Sequence, residues 1–308
     1  SMIEQFGIET VHSYMNHVQD NAEECIRNAI VNLREGKYEY ELDNGEFIRV
    51  KITIDKIKRE ATIDFTGTAP KNHFNYNAPM AVCHAVILYV FRTLVGSNIP
   101  LNEGCFKPLN IIIPNNSMIN AKYPSAVIAG NTEVSQLTCN ALFGALGIIA
   151  GSQATMNNFI WGNDKIQNYE TICGGTGAGP NFHGTSAVQT HMTNTRSTDP
   201  EILEARFPVR LEEYSIRKNS GGKGMFNGGD GVTRKLRFLE PMTVTTLCSH
   251  RRVKPFGVDG GEPGQCGKEW LEKEDGGFIK LEGNDSCEVK VNDLFVMETP
   301  GGGGFGSK

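Results

Sequence analysis

The first apolar pattern along the chain has the period of an α-helix. Between residues 9 and 33 the apolar positions share one helical face, and Gly36 follows where a helix end favours glycine. These positions are Val11, Tyr14, Met15, Val18, Ala22, Cys25, Ile26, Ala29, Ile30 and Leu33. The spacing predicts a long amphipathic helix that packs its apolar face against the rest of the protein.

The pattern then changes to the alternation that is typical of half-buried β-strands. Apolar and polar residues alternate over residues 37–42, 47–54 and 60–65. Asp43-Asn44-Gly45, between the first two runs, is a typical hairpin turn. These features predict an antiparallel meander with one buried face.

Helical spacing returns in the middle of the chain. Pro79 suits the first turn of a helix that runs to about residue 95, and residues 108–113 are predicted to form a buried strand. A second central helix is expected to begin at a cap provided by Asn131 or Thr132 and to end near residue 150.

Beyond Gly151 short β-like runs alternate with glycine-rich turns. The runs cover residues 159–162, 169–173, 209–215, 232–238, 242–248, 277–281, 287–291 and 293–298. The chain is therefore predicted to be α+β, with an N-terminal helix and antiparallel meander, central helices, and a β-rich, Gly-rich C-terminal half. The sequence shows no linker, so we predict one domain with two parts and no sharp boundary. Residues 1–70 are the helix plus antiparallel strands, and residues 71–308 are the polar-motif and β-rich region.

Composition narrows the class of protein. The 308 residues have a net charge of −5 with scattered basic residues, so no nucleic-acid partner is expected. The longest apolar stretches are short or interrupted by polar residues, so no membrane span is predicted. None of the eight cysteines forms a CxxC pair. We expect reduced thiols in a cytoplasmic protein, with a disulfide framework as the alternative.

Residues 126–196 place many amides, hydroxyls and glycines between apolar residues. Asn131, Gln136, Asn157 and Asn158 supply hydrogen-bond donors and acceptors, and glycine allows a backbone to approach a ligand closely. Buried polar groups of this kind need partners. The partners are either the protein's own loops or a small polar substrate, and the sequence leaves both open.

Four ionisable side chains of this segment are candidates for chemistry. Glu133 and Glu170 lie in amide-rich sequence, where a carboxylate can orient an N–H group or act as a general base. His191 is surrounded by hydroxyl and amide residues that include Asn194, and Arg196 can bind a carboxylate through its guanidinium fork. The alternatives are a favourable place for Glu133 in a first helical turn and loop organisation by His191. Arginines that could bind in the same way as Arg196, most of them with surface or interdomain salt bridges as the alternative, are Arg210, Arg217, Arg234, Arg251 and Arg252.

Two other kinds of site lack support in the sequence. No histidine has the spacing of a metal site, so we assign no metal ligand. The glycine runs 174–179 and 301–304 lack the Lys-Ser/Thr ending of a phosphate-binding loop. Tight turns, or backbone surfaces close to a ligand, are the better interpretation of both runs.

Many ordered motifs resemble the hydantoinase B/5-oxoprolinase family, which is related to the α subunit of acetone carboxylase. The motifs are Asp64-Phe65-Thr66-Gly67-Thr68, Asn75-Tyr76-Asn77-Ala78-Pro79, Ile99-Pro100-Leu101-Asn102-Glu103-Gly104, Gly130-Asn131-Thr132-Glu133-Val134-Ser135-Gln136, Thr155-Met156-Asn157-Asn158, Tyr169-Glu170-Thr171, His191-Met192-Thr193-Asn194-Thr195, Gly228-Gly229-Asp230-Gly231 and Thr299-Pro300-Gly301-Gly302-Gly303-Gly304. The resemblance covers nearly the whole chain. Family chains are longer, so the resemblance implies that the family's N-terminal half is absent from this sequence. In the acetone carboxylase branch, that half is where metal ligands are expected.

The resemblance implies an ATP-dependent hydrolase of the 5-oxoprolinase or N-methylhydantoinase type that opens a five-membered lactam or imide ring. A hydantoinase A-type partner, with an actin-like kinase fold, would bind ATP and phosphorylate the ring oxygen, and an oligomer is expected. A divalent metal is compatible with the family, although its ligands are not identifiable in this chain. The alternatives are a non-catalytic scaffold of that complex, or an acetone carboxylase-like α subunit.

The resemblance also suggests roles for the candidate residues. Glu133 or His191 would be the catalytic base, because ring opening needs an activated water. The amides of Asn131, Asn157 and Asn158 would stabilise the tetrahedral oxyanion, and Arg196 would hold a substrate carboxylate. The remaining candidates for substrate binding are Gln136, Glu170 and Asn194.

Overall fold

The N-terminal helices bury only part of their apolar surface. In the computed structural model, which describes residues 1–193 and 195–307, helix α1 (Met2–Phe6) is joined at Gly7 to the long helix α2 (Ile8–Ile30). Ala22, Ile26 and Ile30 are buried, and the apolar residues of the first turns are exposed. The long helix predicted from the sequence is confirmed, but its apolar face packs against the rest of the protein only in the second half of the helix.

The first sheet contains the predicted meander. Strands β1 (Gly36–Glu41), β2 (Phe47–Asp55) and β3 (Glu60–Asp64) pair antiparallel in sequence order. Strand β4 (Leu109–Ile112) then adds to β3 in the parallel direction. Because β4 lies at the edge of this sheet, it buries one residue of four, and the prediction of a buried strand at 108–113 was wrong in that respect.

The two central helices are α3 (Met80–Thr93) and α4 (Ser135–Leu146), and they pack against each other. A π-helical turn, Gly130–Val134, precedes α4, with the Ser135 N–H donating to the Gly130 carbonyl. The predicted cap by Asn131 or Thr132 is wrong, because the π turn continues directly into α4 and no side chain caps it. Helix α4 ends at a left-handed Gly147, earlier than expected.

The second half of the chain is built from two sheets of antiparallel strands. One sheet has the order β12-β9-β5-β6 and the other the order β11-β10-β13-β8-β7. Their strands are β5 (Asn158–Gly162), β6 (Gln167–Thr171), β7 (Val209–Arg217), β8 (Gly231–Phe238), β9 (Met242–Leu247), β10 (Lys268–Glu272), β11 (Phe278–Leu281), β12 (Asn284–Val289) and β13 (Leu294–Glu298). Buried aromatic rings join the two sheets: Phe159 stacks on Phe295 at 4.7 Å, and Trp161 contacts Phe238 edge-on.

The sequence did not predict β10 or the short helix α5 (Pro200–Arg206). Strand β10 buries a charged residue, Glu269, beside Leu271, so its inward face does not have the usual apolar composition. Helix α5 has Asp199 as its N-cap, but its seven residues are too few to establish a helical period. No helix in the described part of the chain is both long and apolar enough to cross a bilayer.

Glycine-rich segments between the strands form a third packing unit, which we call the glycine bundle. It consists of residues 150–153, 174–179, 220–231, 256–267 and 299–306. Along its central segment, the N–H groups of Gly302, Gly303 and Gly304 donate to residues of three different neighbouring segments. A β-strand alternates between two neighbours only. The glycine runs are therefore closely packed backbone as well as turns.

Candidate functional site

Glu133 is a fully buried carboxylate on the π-helical turn. Its Oε1 accepts hydrogen bonds from the Met156 backbone N–H at 3.1 Å and from Asn158 Nδ2 at 2.8 Å. Its Oε2 accepts a hydrogen bond from Ser249 Oγ at 2.7 Å. Burial raises the pKa of Glu133 to about 7, although these hydrogen bonds oppose the shift. The carboxyl group can therefore take up and release a proton near neutral pH.

Asn158 connects Glu133 to the sheet that contains β5. Its side-chain N–H₂ group also donates to the Leu247 carbonyl at 2.5 Å, and its Oδ1 accepts from the Tyr169 hydroxyl at 2.7 Å. The second predicted amide, Asn157, has φ +44° and donates to Gln153 Oε1 and the Ile172 carbonyl. Both amides are thus held by the protein's own groups, which leaves their orientation fixed.

Arg251 hydrogen-bonds the Asn157 side chain and forms a buried ion pair with Glu269. Its Nη1 donates to Asn157 Oδ1 at 2.8 Å and to the Ser249 carbonyl at 2.7 Å. Its Nε donates to Glu269 Oε1 at 2.7 Å, and both side chains of the pair are almost fully buried. Arg251 therefore fixes the backbone on which Ser249 lies.

Removing one partner of this buried pair is expected to destabilise the fold strongly. Glu269→Ala leaves the Arg251 guanidinium buried without its counter-charge, and we expect a loss of about 3–5 kcal/mol in the free energy of unfolding. The measurement is urea unfolding followed by circular dichroism. The exposed pair Arg252–Glu41 is the matched control, and Glu41→Ala should cost less than about 1 kcal/mol. Equal losses in the two variants would contradict the expectation.

A cavity of about 370 Å³ lies beside this network. The β1–β2 hairpin, the loop after His73 and the segment that follows β9 form its walls. Ser249, Tyr76 and Asn284 contribute polar atoms, and the Tyr76 hydroxyl lies 3.3 Å from Ser249 Oγ. Apolar side chains, such as Leu137, complete the lining. A volume of this size accommodates a small cyclic molecule.

His250 also lines the cavity, but both of its ring nitrogens have partners. Nδ1 lies 2.6 Å from the Val253 carbonyl, which only accepts, so Nδ1 carries the proton. Nε2 therefore accepts from the Tyr40 hydroxyl at 2.5 Å, and Asn140 in turn donates to Tyr40. Burial lowers the pKa of His250, in agreement with a neutral ring. This histidine holds the cavity wall and has no free nitrogen for a substrate.

His191 lies in a different environment from Glu133. Its Nδ1 is 3.1 Å from the Tyr89 hydroxyl, and its ring packs 5.1 Å from the Phe143 ring. Burial lowers the pKa of His191 to about 4, so the ring is neutral at pH 7. Within the described residues Nε2 has no partner, and no hydrogen bond connects His191 to Glu133.

The other predicted binding residues do not gather around one point. Glu170 pairs with Arg234 at 2.8 Å in the core, so Arg234 is not a surface arginine. Gln136 is fully buried, and in the described structure neither of its amide atoms has a partner. Asn131 and Arg196 are exposed. Asn194, the remaining candidate, lies outside the described residues.

Sequence reasoning missed Ser249 and Tyr76 and misplaced Arg251. Ser249-His250-Arg251-Arg252 is a run of four polar residues that follows strand β9 and Cys248, and this run was the available signal. The expectation of surface salt bridges holds for Arg252, but it is wrong for Arg251, which is buried against Glu269. Among the described residues no group of three or more His, Cys, Asp or Glu side chains is arranged to hold a metal ion.

Comparison with known proteins identifies the family. The sequence model of the hydantoinase B/oxoprolinase family matches residues 1–308. The chain belongs to this family. It is 44% identical over 325 residues to 5-oxoprolinase 1 of Arabidopsis thaliana, and 41% identical over 317 residues to the 5-oxoprolinase of Dictyostelium discoideum. The alignments cover 99% and 100% of this chain, but 25% of each relative, so the chain spans about a quarter of their length.

Two solved structures share the fold. The ATP-dependent caprolactamase from Pseudomonas jessenii superimposes with a TM-score of 0.84 at 20% identity, and it covers 99% of this chain and 57% of its own. A nucleotide-free acetone carboxylase gives a TM-score of 0.85 at 16% identity, covering 99% and 50%. The hydantoinase B fold therefore extends over the whole described structure and accounts for part of larger proteins.

Proposed function

We propose that this chain is the ring-opening part of an ATP-dependent cyclic amide hydrolase of the 5-oxoprolinase or N-methylhydantoinase type. The support is membership of the hydantoinase B/oxoprolinase family, together with relatives of above 40% identity that are named 5-oxoprolinases. Because the chain corresponds to about a quarter of those relatives, the complete activity requires further polypeptide.

The observation on which the proposal rests is the buried carboxyl group of Glu133 beside the cavity. Its pKa of about 7 is suited to a general base. At neutral pH a substantial fraction of such a group is unprotonated, and it is a stronger base than an ordinary carboxylate. Glu133 is connected to the cavity wall through Ser249. We therefore assign the base to Glu133 rather than to His191, whose lowered pKa makes it a weaker proton acceptor.

The chemistry needs a second protein that uses ATP. An unactivated lactam is a poor electrophile, so phosphorylation of its oxygen by a hydantoinase A-type subunit or domain with a kinase-like fold would create the activated ring. The cavity would then hold the ring while water attacks its activated carbon. In the described residues no side-chain cluster fits a divalent metal, and we derive no step through one.

The test compares ring opening with ATP consumption in the complete enzyme. With the A-type partner, ATP and either 5-oxoproline or N-methylhydantoin, Glu133→Gln should slow ring opening by about 100-fold or more, because a general base contributes that much. Ring-dependent ADP formation should continue, because it occurs on the partner. Chromatography of the acid product and a coupled ADP assay measure the two steps.

His191→Asn is the comparison variant, because it removes the other candidate base. A large loss of ring opening in His191→Asn, with none in Glu133→Gln, would transfer the role of base to His191. Failure of the wild-type enzyme to open either ring would contradict the proposed function. Activation of a ketone such as acetone instead would favour the carboxylase-like alternative.

A further inference from the structure

We propose, on the basis of the function proposed above, that Ser249 is the catalytic group through which the buried Glu133 acts on the cavity. The Ser249 hydroxyl would pass a proton from the attacking water to the carboxylate. Glu133 itself has no solvent-accessible surface, so it cannot contact a substrate in this arrangement. Ser249 bridges that separation, because it lines the cavity and hydrogen-bonds Glu133.

The other partners of Glu133 do not reach the cavity. The Met156 N–H and the Asn158 side chain bind Oε1, and neither residue belongs to the cavity lining. Ser249 binds Oε2 at 2.7 Å from the cavity side. Among the described residues that line the cavity, Ser249 is thus the one that hydrogen-bonds the Glu133 carboxylate.

The hydroxyl of Ser249 is held in place while one side of it stays available. Its backbone N–H donates to Thr155 Oγ1 at 3.1 Å, and its carbonyl accepts from Arg251. Tyr76 has one hydroxyl proton and two carbonyl acceptors nearby, the Cys248 carbonyl at 3.1 Å and Asn284 Oδ1 at 3.2 Å. Ser249 Oγ lies 3.3 Å from the Tyr76 oxygen, and when Tyr76 donates its proton to either carbonyl, the lone pairs of Ser249 Oγ are available to a water in the cavity.

In the ring activated by phosphorylation of its oxygen, this relay would add water across the C=N bond. The water oxygen bonds to the activated carbon, the water proton moves to Ser249 Oγ, and the Ser249 proton moves to Glu133 Oε2. The electron pair of the ring C=N bond goes to nitrogen. The proton then returns from Glu133 through Ser249 to that nitrogen, which completes the addition of water. The adduct then collapses: its hydroxyl proton passes to the nitrogen, and the C–N bond breaks with its electron pair going to nitrogen, which opens the ring. The acyl phosphate that remains is hydrolysed by a second water to the carboxylate and inorganic phosphate.

The groups around Glu133 keep their protonation state near neutral pH. Burial raises the pKa of Tyr40, Tyr76, Tyr169 and Cys248, so all four remain protonated. Arg251 remains charged, and burial lowers the pKa of His250, so that this ring remains neutral. A change in ring-opening rate around pH 7 would therefore report the protonation of Glu133.

The experiment measures the pH dependence of ring opening in the complete enzyme with its A-type partner and ATP. From about pH 5 to about pH 9, the wild-type rate should rise through an inflection near pH 7. Ser249→Ala should lower the rate by about 100-fold or more and remove the inflection, while ring-dependent ADP formation continues. Ser249→Thr, which retains a hydroxyl group, should retain the inflection and most of the rate.

Ser117→Ala is the matched control, because Ser117 is similarly buried and its hydroxyl, within the part of the chain that the structure describes, bonds only the Pro114 carbonyl. Its rate and inflection should match those of the wild type. A slow Ser249→Ala enzyme that keeps the inflection would overturn the relay and assign Ser249 a structural role. Full activity of Ser249→Ala would also overturn the relay while the proposed function stands. Failure of the wild-type enzyme to open any ring would overturn both.

Discussion

Gly303→Ala is expected to prevent the chain from accumulating as a folded protein. A Cβ atom at Gly303 would lie 1.8 Å from the Phe256 carbonyl oxygen and 2.6 Å from its carbon, far inside van der Waals contact. Both obstructing atoms are backbone, so no side-chain rotation relieves the overlap. We expect a loss of more than about 4 kcal/mol, a large part of the stability of a typical domain. The measurement is the soluble folded fraction, followed by thermal unfolding.

Gly96→Ala is the control for this substitution. No atom lies within 4 Å of a Cβ at Gly96, so the change should be nearly neutral. If Gly303→Ala unfolds within a few degrees of the wild-type temperature, the backbones of the glycine bundle can separate enough to admit a methyl group, which would contradict the expectation.

Glu133→Gln is expected to change the pH dependence of stability. The pKa of Glu133 is about 7 in the folded protein against a reference value of 4.5. Between these values the folded state binds more protons than the unfolded state, so the wild type loses stability as pH rises from about 4.5 to about 7. The loss is about 3 kcal/mol, and it stays constant at higher pH.

A glutamine at position 133 does not titrate, so the stability of Glu133→Gln relative to the wild type should increase by about that amount across this window. Urea unfolding at several pH values gives the difference. Glu103→Gln is the control, because Glu103 is exposed. A difference between Glu133→Gln and the wild type that is independent of pH would mean that folding leaves the pKa of Glu133 unchanged.

Local patterns in the sequence predicted most of the elements. The helical period ahead of Gly36 predicted α2, and the alternation on both sides of Asp43-Asn44-Gly45 predicted the meander. Both were predictable because each signal lies within a few neighbouring residues. Strand β10 was missed because its buried Glu269 depends on Arg251, which is not its neighbour in sequence. The glycine bundle was not predicted either. Its contacts join backbones that are far apart in sequence, and such contacts leave no periodic pattern.

The candidate site was predictable only in part. The amide-rich motifs predicted Glu133 and Asn158 as site residues, and in the structure these two side chains are hydrogen-bonded. The sequence did not indicate that Ser249 would meet them, because that contact depends on the pairing of β5 with β9. The polar run Ser249-His250-Arg251-Arg252 was the accompanying clue in the sequence.

The order of the glycine bundle along the chain has a consequence for biosynthesis. Gly303 donates to Gly151 and accepts from Ala178, and both partners are made long before it. Residues up to Gly304 must therefore have left the ribosome before the bundle can close around its central segment. The bundle also holds the site, because the Gly267 N–H donates to the His250 carbonyl. Nascent chains should acquire their helices early and the cavity beside Glu133 late.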